Sequence, residues 1–232
     1  MRQIEFLADP TAGELRIGCT EPLAAGFVPA AIRQLLRQYP RVSVHVVTAD
    51  PVTLTERELR QRNIELAIAP TPGLNLGSGS DVEILFDDRQ VVMAGAQSKL
   101  LRRRMRLADL IHEPWILPPP DSIIGFSIAE ALRASGLEPP RAQVASFSIP
   151  LCQCLLASGH FLIMLPVSMA RLGNHLPFKI LQVGFAGIPR PTGILTLKNR
   201  TLSPIAQRFI NCAREVAKPL AKGHQWSTRP RR

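Results

Sequence analysis

The sequence lacks a long hydrophobic run, and this absence limits where the protein is expected to work. None of its apolar stretches approaches the ~20 consecutive apolar residues of a membrane-spanning helix. The first residues, MRQIEFLADP, carry charges where a secretory signal peptide would need an apolar core. We therefore expect a cytoplasmic protein with no membrane partner.

Cysteine is scarce as well. The chain has four, at Cys19, Cys152, Cys154 and Cys212, and their spacing fits neither a disulfide framework nor a zinc site. Cys152 and Cys154 stand two apart on a predicted helix, where side chains do not face each other. The sequence therefore predicts free thiols and no bound metal.

The motifs that mark common enzymes are absent. The chain contains no GxSxG, no Walker A loop and no GxGxxG, and none of its five histidines has a partner at a spacing suited to metal binding or to a catalytic triad. Ser158 and His160 are close in sequence, but a nucleophile and its base need to meet in space in a defined geometry. We predict that the protein is not an enzyme and binds no cofactor.

Aromatic residues are few, and this bears on the meaning of the charge. The 232 residues include 28 Lys and Arg against 18 Asp and Glu, a formal charge of +10. The charge alone suggests a nucleic acid or another acidic partner. With one Tyr and two Trp, however, there is no interleaving of basic and aromatic residues for base stacking. The scattered arginines favour solvated helix faces.

The stretch from residue 13 to 40 is the most informative part of the chain. An apolar run over 15–19 predicts a buried strand, and Thr20, Glu21 and Pro22 then open a predicted helix that ends at Pro40. Pro29 either kinks this helix or opens its main part. The turn after the strand is a potential site for an anion or a polar ligand, with Thr20 adding a hydroxyl. The alternative is that Thr20 only caps the helix.

Strands and helices then alternate. Residues 42–47 and 64–69 predict two further strands, and a helix over 53–62 lies between them. This βαβαβ order indicates a parallel sheet, in which the loops after the strands meet at one edge, where ligands bind in open α/β sheets. These loops contain Thr20, Asp50, Pro51 and Pro70.

A second strand–helix series is predicted over residues 95–188, with helices beginning at Ser122 and Ser148. Two extended passes, near residues 90 and 190, connect the two series. Two such halves imply a ligand-binding cleft between them. A last helix, opened by Ser203 and Pro204, is expected to end near residue 217, and a disordered basic tail is expected over 219–232.

Taken together, several motifs resemble the effector-binding domain of LysR-type transcriptional regulators. They are GELRIG with the following proline-spaced helix, LRQRNIELAIAP, LADLIHEPWILPPP with ASGLEPP, LCQCLLASGHFLIMLPVSMA, and Leu202-Ser203-Pro204. The resemblance runs from about residue 13 to 216 and lies in the order and spacing of the series rather than in any single motif.

The resemblance implies an α/β fold of two Rossmann-like subdomains, similar to type 2 periplasmic binding proteins. Subdomain I would comprise residues 13–92 and 189–218, and subdomain II residues 93–188. It also implies a small-molecule effector, a homodimer (a tetramer in the full-length parent), and DNA binding only through an N-terminal winged helix-turn-helix. These residues do not include that domain, and residues 1–12 look like a remnant of its linker helix.

The sequence departs from the family pattern at two places. Glu65 stands where the family usually has Asp, and Gly159-His160-Phe161 replaces the usual Gly-x-Gly.

The resemblance also directs attention to particular side chains. Thr20 matches a position where family members use a hydroxyl to hold a ligand. Glu21 is either a surface charge favourable to the helix end or a group that rejects acidic ligands. Phe147 is either a core residue or a ligand platform. The full set of expected ligand-binding residues is Thr20, Glu21, Asp50, Pro51 and Pro70 from the first half, and Ser122, Ile123, Phe147 and Ser148 from the second.

Two other functions remain open. A transport solute-binding protein shares the fold but needs a signal peptide or lipobox. An enzyme on the same fold would need a convergent set of catalytic residues.

Overall fold

The computed structural model describes residues 12–74, 79–102, 105–173, 178–183 and 188–222. The described chain forms two compact units, which divide after Asp88 and after Pro189. Unit 1 contains the residues up to Asp88 and those from Arg190 onward, and unit 2 contains Arg89–Pro189. The predicted linker remnant over 1–12 lies outside the described residues except for residue 12, which begins the first strand.

Unit 1 is built on a mixed sheet in the order β2-β1-β3-β10-β4. Its strands are β1 (Ala12–Cys19), β2 (Arg41–Thr48), β3 (Leu66–Pro70), β4 (Ser80–Asp87) and β10 (Pro191–Leu197). β1 is parallel to both β2 and β3, which confirms the predicted parallel βαβαβ unit, and β10 is antiparallel to both β3 and β4. All five residues of β3 are buried, as expected for a central strand covered on both faces.

The predicted helix after β1 is two helices. A single turn, α1 (Glu21–Ala24), is separated from α2 (Phe27–Gln38) by Ala25 and Gly26. Pro29 lies in the first turn of α2, where its missing N–H removes no helical hydrogen bond, so it opens the main helix rather than kinking it. The ring of Phe27 packs 4.9 Å from that of Phe86 on β4, which anchors the start of α2 to the sheet.

The segment between β2 and β3 begins earlier than predicted. Asp50 caps α3 (Pro51–Thr53), which continues into a π-helical turn, Leu54–Leu59, whereas the sequence predicted a helix starting at Thr53. The proline at the first helical position and the carboxylate before it supply the start signal.

Glu65 has a structural role in unit 1. Its carboxylate accepts hydrogen bonds from the N–H and the hydroxyl of Ser203, at 3.0 and 3.1 Å, and the Ser203 hydroxyl in turn accepts from the N–H of Ala206 at 3.1 Å. The acid therefore secures the start of the last helix, α7 (Pro204–Lys222), beside β3.

The prediction for the end of α7 was wrong. The helix includes Pro219 and runs to Lys222, so the predicted disordered tail over 219–232 does not apply to its first four residues. The buried side chains of Ala217 and Leu220 continue the apolar face past residue 217. This packing outweighs the cost of a proline within the helix. The rest of the predicted tail, 223–232, lies outside the described residues.

Unit 2 repeats the plan with the order β7-β6-β8-β5-β9. The strands are β5 (Gln90–Gly95), β6 (Trp115–Leu117), β7 (Ala142–Ala145), β8 (Leu162–Pro166) and β9 (Phe178–Ile180). β6 is parallel to β7 and β8, and β5 is antiparallel to β8 and β9. The helices are α4 (Ile123–Ala134), α5 (Ile149–Ala157) and α6 (Val167–Leu172).

Trp115 lies in the core of unit 2. Its side chain is buried among residues of β5, β8 and α4, including Val92, Leu162 and Ile128. The indole N–H donates to the carbonyl of Leu110 at 2.8 Å, so the ring is buried without an unsatisfied polar atom.

Candidate functional site

Unit 1 gathers the predicted loops at one edge of its sheet. Because β1, β2 and β3 are parallel, the residues that follow them lie at the same edge. A hydrogen bond from the N–H of Ala49 to the carbonyl of Cys19, 3.2 Å long, joins the first two loops directly beside Asp50 and Thr20. The structure thus brings the loops of Thr20, Asp50 and Pro70 to one edge.

Among the predicted polar site residues at helix starts, Thr20 is the one whose side chain makes no capping hydrogen bond. It is 7% exposed and stands at the N-cap position of α1 in extended backbone conformation. Its carbonyl accepts from the N–H of Ala24 at 3.0 Å, but its hydroxyl caps no helix N–H. Within the described ranges of the chain, this hydroxyl has no hydrogen-bond partner. The reading of Thr20 as only a side-chain cap is therefore wrong.

The helix behind Thr20 contributes less than the sequence suggested. α1 has four residues, and its N-terminus cannot carry the summed dipole of the long helix that was predicted. Pro22 also removes one of the N–H groups of that turn. The neighbouring Glu21 is half-buried and begins α1. The polar character of this turn therefore rests on the Thr20 hydroxyl more than on a helix dipole.

Asp50 is committed to its own loop. Its carboxylate accepts hydrogen bonds from the N–H groups of Val52 and Thr53, both at 3.0 Å, and from the hydroxyl of Thr53. Burial by itself raises the pKa of the Asp50 carboxyl, but these hydrogen bonds outweigh it and hold the pKa below its ordinary value. Asp50 is thus a helix cap first, and its remaining capacity to accept from a ligand is small.

We expect Asp50→Ala to lower the free energy of unfolding by about 1 kcal/mol at neutral pH, because it removes the cap of α3. A carboxyl whose pKa is lower in the folded than in the unfolded chain stabilises the fold above the unfolded pKa. That stabilisation disappears as the pH falls through the folded pKa, so the difference between wild type and variant should shrink below about pH 4. Urea unfolding of both proteins at several pH values measures this difference in stability. Asp50→Asn is the control, since its uncharged amide oxygen still caps; a pH-independent difference for Asp50→Ala would contradict the assignment.

The two prolines of the predicted set differ in exposure. Pro51 is half-buried at the first position of α3, and Pro70 is buried at the end of β3, where it is paired in register with Thr192 of β10. Neither has a backbone N–H to donate, so any contact with a ligand would be through carbonyl or ring atoms.

In unit 2, the two predicted serines serve as helix caps. The Ser122 hydroxyl accepts from the N–H of Gly125 at 3.0 Å and donates to the carbonyl of Pro119 at 2.5 Å. The Ser148 hydroxyl accepts from the N–H of Leu151 at 3.4 Å. Both groups lie at the carboxyl ends of β6 and β7, where the sequence placed them, but their hydroxyls are engaged locally.

The two predicted apolar residues of unit 2 are open to solvent. Ile123 is 46% exposed at the first position of α4, and Phe147 is 49% exposed in the loop before α5. The core reading of Phe147 is therefore wrong. An exposed aromatic ring beside the carboxyl end of a parallel strand is suited to contact a ligand, and its role as a platform stays a prediction.

Sequence reasoning missed a buried arginine at the same edge of unit 1. Arg190 immediately precedes β10, is 2% exposed, and its Nε makes no hydrogen bond to any residue that the structure describes. Burial lowers the pKa of its guanidinium, and the nearby charge of Asp88, itself 2% exposed, opposes that shift. The run Pro189-Arg190-Pro191 gives no local sign of burial, because an arginine between prolines is typical of an exposed loop.

The cysteines are free, as predicted; three are buried and Cys154 is exposed. Burial raises the pKa of the Cys19 thiol to about 12, which keeps it protonated and unreactive. Within the described ranges, no three His, Cys, Asp or Glu side chains are grouped to hold a metal ion. No helix in the same ranges is long and apolar enough to cross a membrane.

Comparison with known proteins identifies the family. The profile described as LysR substrate binding domain matches residues 8–218. The HTH-type transcriptional regulator GbpR of Azospirillum brasilense is 27% identical over 215 residues, which cover 89% of this chain and 61% of GbpR. The transcriptional dual regulator GltC of Bacillus subtilis (strain 168) is 26% identical over 211 residues, covering 89% of this chain and 68% of GltC. The chain thus corresponds to only part of either regulator.

A solved structure agrees at the level of the fold. The effector binding domain of BenM with its effector benzoate matches with a TM-score of 0.69 at 18% identity, covering 89% of this chain and 92% of that domain. At this identity the likeness establishes the fold alone, and it confirms the predicted α/β class with two subdomains. Because the family profile matches residues 8–218, nearly the whole of this sequence, the chain belongs to the LysR substrate binding domain family.

Proposed function

We propose that the chain is the effector-sensing domain of a LysR-type transcriptional regulator, and that a small organic molecule binds at the carboxyl edge of the unit 1 sheet. The observation that carries the site is the Thr20 side chain, which is 7% exposed at the end of β1 and whose hydroxyl caps no N–H of α1. That hydroxyl is therefore available to donate to, or accept from, a ligand oxygen or nitrogen.

The remaining predicted residues would play different parts. Asp50, Ser122 and Ser148 hold their own loops in place through local hydrogen bonds, so each positions its loop rather than supplying hydrogen bonds to an effector. In unit 2, Ile123 and Phe147 offer exposed apolar surface. The effector binding domain of BenM is solved with a small organic effector, benzoate.

A thermal-shift screen of small acids, sugars and aromatic compounds, benzoate among them, tests the proposal. A ligand that binds only the folded chain stabilises it by about 2.7 kcal/mol at one hundred times its Kd. For a chain of this length that free energy raises Tm by roughly 5–10 °C. Calorimetric titration of each hit then gives Kd. A protein with no saturable ligand in a broad metabolite screen would contradict an effector-sensing role.

We also propose that the chain acts by binding rather than catalysis, since its curated relatives carry the names of transcriptional regulators. Recognition of DNA is assigned to a separate domain of such a regulator. The chain itself is then expected to bind DNA only weakly and without sequence preference, through its +10 charge. A gel shift at physiological salt with nanomolar preference for one sequence would contradict this.

We expect the chain to form a homodimer. Among the described strands of unit 1, β2 lies at one edge of the sheet, and α2 exposes Arg33, Arg37 and Gln38. A second copy of the chain could therefore pack against this strand edge and helix face. Sedimentation velocity at micromolar concentrations measures the association. A monomer at every concentration tested would contradict the prediction.

A further inference from the structure

We propose that Arg190 recognises a carboxylate of the effector, so that the effector is an organic acid. This inference rests on the proposed effector-sensing function and adds to it the chemical class of the ligand and a residue outside the set that the sequence indicated.

The position of Arg190 is fixed by the strands around it. Pro191 is paired in register with Asp87 at the end of β4, and Thr192 with Pro70 at the end of β3. Since β3 is parallel to β1, the antiparallel β10 begins at the edge where β1 ends and Thr20 lies. Arg190 and Thr20 therefore belong to the same edge of one sheet.

The main chain of Arg190 makes several hydrogen bonds, whereas the Nε atom of its side chain makes none within the described chain. Its N–H donates to the Asp87 carboxylate at 2.7 Å. Its carbonyl accepts from the N–H of Asp88 at 3.0 Å and from the hydroxyl of Thr192 at 3.1 Å. The Nε of the guanidinium, in contrast, is buried without an acceptor in the described chain. The backbone of Arg190 is thus fixed, and the buried guanidinium retains an unused donor at Nε.

The chemistry of that donor selects the ligand group. A guanidinium binds a carboxylate through two parallel N–H donors, and its side-on pair includes Nε. Burial lowers the pKa of the Arg190 guanidinium, and the nearby negative charge of Asp88 opposes that shift but leaves Nε unpaired in the described chain. A carboxylate would complete this arrangement; a neutral amide would offer one weaker acceptor.

Four acidic residues bear on this inference. The nearest are Asp87, whose carboxylate accepts from the N–H of Arg190, and the buried Asp88, whose charge partly balances the guanidinium. Asp50 is engaged as the cap of α3. Glu21 could reject acids, as the sequence allowed, but it is only half-buried and its charge is screened by solvent. Arg190 is 2% exposed, so its interaction with a ligand would be screened far less. The overall charge of +10 also favours the approach of an anion.

The test compares small carboxylic acids with their primary amides, beginning with benzoate and benzamide, by calorimetry on the whole chain. For any acid that binds, the wild-type chain should bind the acid at least tenfold more tightly than the corresponding amide. Arg190→Gln should weaken acid binding about ten- to a hundred-fold, because a charge-assisted hydrogen bond is lost. The same variant should change amide binding by no more than about twofold. Arg60→Gln, which removes an exposed charge from unit 1, is the control and should change neither.

Three results would overturn the inference. Arg190→Gln could retain acid binding, wild type could bind amides as tightly as acids, or no probe could bind wild type at all. The first two leave the effector-sensing proposal standing if the ligand still depends on Thr20, whereas the third removes both. If Arg190→Gln does not fold, Arg190→Lys decides the question, because lysine keeps the charge but lacks the paired donors. A tenfold loss of acid binding in that variant supports the inference, and unchanged binding refutes it.

Discussion

Thr20→Val is expected to weaken effector binding roughly five- to a hundred-fold, at about 1.4 kcal/mol per factor of ten. The substitution keeps the shape of the side chain and removes its hydroxyl. A lost neutral hydrogen bond in a buried site costs on the order of 1 kcal/mol, and more when the ligand group is charged. Calorimetric titration of the effector found by the thermal-shift screen measures the change.

The stability of the variant separates this role from a structural one. Since the Thr20 hydroxyl caps no helix N–H, its removal should leave Tm of the free protein unchanged or slightly raised. Thr20→Ser keeps the hydroxyl and is the matched control, so it should bind the effector far better than Thr20→Val does. Equal affinity for wild type and Thr20→Val would place the site away from this loop.

Trp115→Ala is expected to lower the free energy of unfolding by about 3–5 kcal/mol, because the cavity left by the indole cannot be filled by its neighbours. The side chain is 1% exposed in the core of unit 2, and its N–H bond to the Leu110 carbonyl is lost as well. Urea unfolding followed by far-UV circular dichroism gives the change in stability.

Trp115→Phe is the partner variant for this measurement. Phenylalanine fills most of the space of the buried ring but lacks the N–H donor. Trp115→Phe should therefore lower the free energy of unfolding clearly less than Trp115→Ala, because it leaves one unsatisfied carbonyl rather than a large cavity. Similar losses for the two variants would mean that the hydrogen bond, not the packing, dominates at this position. A loss below about 1 kcal/mol for Trp115→Ala would contradict the buried position itself.

Much of the fold could be predicted from local patterns. Residues 15–19 show the apolar run of a buried strand, and the serine–proline pair at 203 and 204 starts a helix where the structure has α7. The prediction failed for the helix after β1, where an apolar helical pattern and a glycine compete. The apolar residues from 28 to 39 predicted one helix from Thr20 onward, yet the chain breaks at Ala25 and Gly26, since glycine weakens a helix interior.

The candidate site was predictable in position but not in role. Thr20, Asp50, Ser122 and Ser148 are all hydroxyl or carboxyl residues at starts of helices, and sequence alone treats them alike. In the structure, Asp50, Ser122 and Ser148 accept hydrogen bonds from N–H groups two or three residues ahead. Thr20 does not, and this difference in partners makes it the strongest candidate for ligand contact.

The sequence by itself determined the alternation of strands and helices, the loops that follow each parallel strand, and the family. These features depend on hydrophobic period and turn chemistry, which neighbouring residues encode. Only the tertiary structure decided the burial of Arg190 and the pairing of Glu65 with Ser203, 138 positions apart. Burial and hydrogen-bond partners depend on contacts between distant segments, which form when the sheet assembles and which local sequence does not specify.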